Sequence, residues 1–121
     1  MIYQQVEAKS INRTLPLKNR LDTIAVFITN LEAGVKVEDS KRREAEMREE
    51  IKGYVKEQRK LYGEIYAIQE DVFKDLLAEE YGLPRAHPKF SAVYSLAYSY
   101  GHSYGYSEIE NHFTDFVELV K

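Results

Sequence analysis

Residues 88–120 read P-K-F-S-A-V-Y-S-L-A-Y-S-Y-G-H-S-Y-G-Y-S-E-I-E-N-H-F-T-D-F-V-E-L-V, and the way this stretch divides decides the fold. It holds five of the ten tyrosines (Tyr94, Tyr98, Tyr100, Tyr104 and Tyr106) and two of the three histidines, His102 and His112. Two glycines, Gly101 and Gly105, lie four residues apart. Two patterns compete. Ser107-Glu108-Ile109-Glu110 matches a capping box, which would start a new helix after a loop over 101–106. Against it, Tyr94, Tyr98, Gly101, Gly105, Ile109, His112, Phe116 and Val120 keep a near-heptad rhythm through both glycines. Ser91, Ser95, Ser99, Ser103 and Ser107 also recur every four residues. The rhythm predicts one continuous helix over 88–119, with Pro88 in its first turn. Ala97, Gly101 and Gly105 then form a strip poor in side chains, where another backbone can come close. Each glycine costs about 1 kcal/mol of helix propensity relative to alanine, so close packing must offset it.

Upstream, L-P-R-A-H-P at 83–88 is a stiff connector, since each proline fixes its own φ and extends the residue before it. Gly82 and Pro84 stop a helix that nothing interrupts from residue 40 onward, with Asp39 or Ser40 as its cap. The halves of this helix differ. Residues 61–81 include Leu61, Ile65, Ile68, Val72, Phe73, Leu76 and Leu77 and read as core. Residues 40–60 are charge-laced, with a thin apolar seam at Met47, Ile51, Tyr54 and Leu61. Some 42 helical residues span about 60 Å, whereas a compact chain of this length has a radius of gyration of about 14 Å. The first half is therefore expected to extend from the core or to pair in a homodimer through residues 40–61, unless Gly53 or Gly63 bends the helix. Further upstream, Leu17, Leu21, Ile24, Ile28 and Leu31 mark one face of a helix over 16–33, started at Thr14–Pro16 and capped by Gly34. Residues 1–13 show no sustained period. The sum is an all-α single domain over 1–121 with three main helices, at 16–33, 40–81 and 88–119.

Composition narrows the function classes. With 121 residues and no cysteine, the chain supports one domain without disulfides or thiolate metal sites, in keeping with a reducing, cytoplasmic setting. No apolar run is long enough to span a membrane. The net charge is −3, but residues 64–121 carry four basic and ten acidic residues, a net −6 that repels polyanions. A nucleic-acid role would have to use the stripe Arg48, Lys52, Lys56 and Arg59, and glutamates are interleaved with it. A charge-laced, solvated helix explains the same pattern.

No catalytic signature stands out. Tyr104, Glu108, His112 and Asp115 step along one predicted helix face, and Glu108 with His112 could share a metal or an acid/base role. No second helix offers matching ligands, so neither metal nor cofactor is predicted. His102 lies among serines without the elbow or oxyanion hole that a nucleophilic serine needs. The tyrosines carry the functional reading. Tyr94, Tyr98, Tyr100, Tyr104 and Tyr106, with His102, point to several sides of the predicted helix. They offer the tyrosine-rich mixture that suits adaptable protein-binding surfaces.

The motif G-H-S-Y-G-Y-S-E at 101–108, followed by F-V-E-L at 116–119, resembles the tail of small uncharacterised accessory proteins encoded by bacteriophages. The segment covers roughly a quarter of the chain. The resemblance implies a short cytoplasmic protein made during infection, an inhibitor or adaptor acting on host machinery or defence components. It supplies no catalytic residues. The expected function is a non-enzymatic protein-binding module. Its rivals are a nucleic-acid-associated factor using the basic stripe and a small metal-dependent enzyme at Glu108 and His112.

Overall fold

The computed structural model describes residues 1–121 and is all-α. A 3-10 turn over Ile2–Gln5 leads into α1 (Val6–Val37), followed by α2 (Lys41–Tyr81) and α3 (Phe90–Gly101). A second 3-10 turn, His102–Tyr104, precedes α4 (Tyr106–Val117). Two compact units are present, one of residues 1–11 and 68–121 and the other of residues 12–67.

α2 follows its sequence signals closely. The Arg43 amide donates to the Ser40 hydroxyl at 3.4 Å, which caps the first turn as expected. At the other end Gly82 takes φ +69°, and the Leu83 amide donates to the Ala78 carbonyl at 3.2 Å. This is the left-handed stop that Gly82 predicts. In the connector, the His87 ring accepts from the Lys89 amide at 3.0 Å through Nδ1, and α3 starts directly after.

α1 is longer than its signals imply. It begins at Val6, where the sequence reading places 1–13 outside any helix, and it runs through Pro16 to Val37. Proline inside a helix leaves the carbonyl four residues earlier, here Asn12, without its helical donor, a cost of about 3 kcal/mol. Burial on both sides of the proline offsets that cost. Val6, Ser10 and Thr14 recur every four residues and are buried, and Ser10 satisfies its hydroxyl on the Glu7 carbonyl at 3.1 Å. Gly34 is not a cap but an interior helical residue. A Cβ there would lie 3.3 Å from the Met47 sulfur, so its bareness makes room for that side chain.

In the unit of residues 12–67, α1 and α2 pair antiparallel. Leu21 and Ile24 pack on Leu61 and Ile65, with Leu17, Ile28 and Tyr54 at the margins. Phe27 meets Tyr54 with ring centroids 5.5 Å apart, and Arg20 donates to Glu57 from Nε and Nη2 at 2.7 and 3.1 Å. The seam of Met47, Tyr54 and Leu61 is thus occupied by α1 of the same chain. This corrects the expectation that residues 40–60 extend without packing on the rest of the chain. The apolar partner of the seam is local.

In the other unit the expected helix over 88–119 is two helices, which corrects the continuous reading. Gly105 takes φ +94° and ψ −174°, a region that essentially only glycine occupies, and α4 turns back along α3. A straight rod would have left two apolar arcs on one side. Folding at Gly105 lets Phe90, Val93, Tyr94 and Ala97 of α3 bury against Ile109, Phe113 and Val117 of α4. Phe73, Leu77, Leu83, Ile2 and Val6 complete this core. The approach is tight at Gly101, where an added Cβ would lie 2.6 Å from the Ile109 nitrogen and 2.8 Å from the Glu108 carbonyl carbon.

These glycines are separable by chemical denaturation. Gly101→Ala forces backbone apart and should cost about 3 kcal/mol or more. Gly105→Ala has open space around it and should cost about 1–3 kcal/mol through strain alone. Gly53→Ala and Gly63→Ala, in open helical positions, should each stabilise by about 0.5–1 kcal/mol. Equal effects at Gly101 and Gly53 would contradict the close approach.

Candidate functional site

The aromatic residues that the sequence groups together are split by the turn at Gly105 into separate settings. Tyr94 belongs to the core. It is 6% exposed, its ring lies 6.4 Å from those of Phe73 and Phe90, and the Lys74 ammonium sits 4.7 Å over it. The Tyr94 hydroxyl is buried without a hydrogen-bond partner, and burial, reinforced by the charge of Glu70, pushes its pKa well above the usual tyrosine value. Tyr106 is half-buried on Phe73, with centroids 4.7 Å apart. Both were expected on a binding surface, and packing claims them because each lies on the arc facing α2.

Tyr98 and His102 form a second setting. Their rings stack at 5.1 Å, and His102 Nδ1 lies 3.0 Å from the Tyr98 carbonyl oxygen. Tyr98 borders an open groove of about 360 Å³ lined also by Glu70, Lys74, Tyr94, Ser95 and Ser99. Lys74 is paired there with Glu70 at 3.3 Å.

A third setting spans α3 and α4. Tyr100 lies 5.7 Å from both His112 and Phe116, which are themselves 6.2 Å apart. Tyr100 is 62% exposed, and Leu96, one turn earlier on the same side of α3, is 48% exposed. Tyr104, in the 3-10 turn, is 77% exposed. In this three-ring cluster Tyr100 faces solvent, while His112 and Phe116 are half-buried beside it.

The other candidates are rearranged too. Ala97 and Gly101 serve close packing as expected, but the backbone that approaches belongs to α4 of the same chain. Gly105 makes the turn and packs against nothing. Tyr104 stands before the turn, so Tyr104, Glu108, His112 and Asp115 do not share one helix face. Glu108 accepts from Asn111 Nδ2 at 3.4 Å, His112 lies among the rings, and Asp115 is exposed. No three His, Cys, Asp or Glu side chains converge as a metal site would require. In the basic stripe, Arg48 is paired with Glu44 at 2.9 Å and Lys52 with Glu49 at 3.1 Å, while Lys56 and Arg59 are exposed without a carboxylate partner.

One residue of consequence escaped the sequence reading. Glu110 is fully buried, and its carboxylate accepts from the amides of Ile2 and Tyr3, each at 3.1 Å, and from the Tyr81 hydroxyl. Burial and this hydrogen bond raise the Tyr81 pKa. The amides open the 3-10 turn that runs into α1, where free N–H groups and the helix dipole favour an anion. The signal was present: Tyr106, Ile109, Glu110, Phe113 and Val117 fall at helical spacing on one face, which places a carboxylate on an apolar arc. A second contact of this kind holds the connector, where Arg85 donates to Asp71 and Asp75 at 2.8 and 2.7 Å.

A family model described as a family of unknown function (DUF8546) matches residues 10–121. The chain belongs to that family. No curated protein and no solved structure matches it. No helix is long and apolar enough to cross a membrane. The family match leaves out Ile2 and Tyr3, the two residues whose amides bind Glu110.

Glu110→Ala removes the acceptor from three donors and should lower the unfolding free energy by about 3 kcal/mol or more. Amide exchange at Ile2 and Tyr3 should accelerate beyond the global change, and unaltered exchange there would deny the carboxylate its role. The tyrosines predict an alkaline transition. A tyrosine pKa raised by folding contributes stability that is present below the unfolded value of 10.0 and lost as pH rises beyond it. Tyr94→Phe should flatten the fall in stability above pH 10. It should otherwise be neutral or stabilising by up to about 1 kcal/mol, since it deletes an unpaired buried hydroxyl.

Proposed function

We propose that this protein is a non-enzymatic interaction module that binds a protein partner through the aromatic face shared by α3 and α4. The observation that supports the reading is the cluster in which exposed Tyr100 meets the half-buried rings of His112 and Phe116, extended by exposed Leu96. Large rings that remain open to water after a core has formed supply most of the energy at protein interfaces, and tyrosine does so at small entropic cost. The face sits on two helices fixed against each other at Gly101, so little ordering is lost on binding. Likeness of 101–108 to phage accessory proteins extends the proposal to an inhibitor or adaptor of cytoplasmic host machinery. The basic stripe on α2 supports nucleic-acid binding less well, since two of its four cations are already paired within the helix.

The test is capture of a partner from nuclease-treated bacterial lysate by the wild type and by a Leu96→Ser, Tyr100→Ser variant. Both positions are exposed, so folding stability should change by no more than about 0.5 kcal/mol each. One protein retained in stoichiometric amount by the wild type, and lost by the variant, is the expected result. Bait alone would overturn the reading for that host, and nucleic acid as the only companion before nuclease treatment would move attention to Lys56 and Arg59.

A further inference from the structure

We infer that the α3–α4 face takes a basic segment of its partner, seating a lysine or arginine side chain against the rings of Tyr100, His112 and Phe116, with Asp115 and Glu108 as counter-charges. The inference rests on the protein-binding reading above and adds the chemistry of the partner. At 3.6 residues per turn, Glu108, His112 and Asp115 lie on one side of α4, with Phe116 at its border toward α3. The three rings and the two carboxylates therefore share an edge of the molecule. Asp115 has no cationic partner in the chain, and Glu108 meets only the Asn111 amide. No lysine or arginine of the chain lies over the three rings.

The same chemistry is already satisfied on the opposite side of α3. There the Lys74 ammonium is held 4.7 Å over the Tyr94 ring and 3.3 Å from the Glu70 carboxylate. A cation between an aromatic face and a carboxylate is favoured by both, because the ring quadrupole and the anion attract it together. On the α4 side the ring and carboxylate components are present and the cation must come from outside. Charge agrees over a longer range. Residues 1–11 and 68–121 carry five basic residues (Lys9, Lys74, Arg85, Lys89, Lys121) against ten acidic ones, a net −5 that attracts basic partners and repels acidic ones.

The test uses three synthetic amphipathic peptides of equal length, built on leucine and alanine and carrying arginine, citrulline or glutamate at the same positions. Each is titrated into the full chain while the aromatic ring signals of Tyr100, His112 and Phe116 are followed by NMR. The arginine peptide should shift these signals and bind about tenfold tighter than the citrulline peptide. That advantage should shrink with added salt and in the Glu108→Gln, Asp115→Asn variant. Equal binding of the arginine and citrulline peptides at the rings would overturn the basic-partner inference and leave the protein-binding reading standing. Arginine binding that leaves the ring signals unmoved, or preference for the glutamate peptide, would overturn it as well. Concentration-dependent shifts of the same rings without peptide would assign the face to a second copy and overturn it. If the arginine peptide behaves as expected and lysate capture fails, the chemistry of the face holds and the host is at fault.

Discussion

The contact on which the C-terminal half depends is the approach of the α4 backbone to Gly101. A methyl group in place of the hydrogen would sit 2.6 Å from the Ile109 nitrogen, well inside any tolerated distance. This approach needs a sharp reversal beforehand, and Gly105 supplies it with a backbone conformation that side chains forbid. The two glycines therefore act as a pair, one allowing the turn and the other allowing the helices to meet. Their helix-propensity cost, about 1 kcal/mol each, never falls on a long helix because none is formed across them.

Once α4 lies along α3, other features follow from geometry. Phe113 and Val117 reach the core beside Phe73 and Leu77, and all four are fully excluded from water. Glu110 is carried inside with them, where a lone carboxylate would be costly. The amides of Ile2 and Tyr3 and the Tyr81 hydroxyl take the place of water around it, and they tie the first residues of the chain to the last helix. The clasp joins segments 108 positions apart in sequence. It also gives the first helical amides an acceptor, so a helix start and a buried charge satisfy each other.

The same reversal sorts the aromatic residues. Tyr94 and Tyr106 turn inward, Tyr98 stacks on His102 along the groove beside Lys74, and Tyr100 meets His112 and Phe116 across the helix pair. A run that reads as one uniform tyrosine surface thus contains core residues, a groove wall and an open face. The proposed function rests on the last because it is what packing leaves over. Its acidic surroundings and the exposed Tyr100 ring give the proposed partner a chemistry as well as a place.

Local signals alone determined the helical class, the span of α2 and both of its ends, because caps and breakers act within a few residues of themselves. The face of Leu17, Leu21, Ile24 and Ile28 was legible for the same reason, and α1 uses it. The true start of α1 was not legible. A proline at residue 16 looks like a helix start, and only burial of Val6, Ser10 and Thr14 carries the helix through it. The break at Gly105 lay hidden because an apolar rhythm of four and three residues serves a continuous helix and a helical hairpin equally well. Both must present one apolar arc, and which one forms depends on what stands opposite. For the site, the sequence grouped Tyr94, Tyr98, Tyr100, Tyr104 and Tyr106 with His102, but could not say which of these tyrosines face water, nor that His112 and Phe116 would meet Tyr100. That is decided by which arc of each helix the tertiary structure buries, since burial is a property of the neighbours and not of the residue.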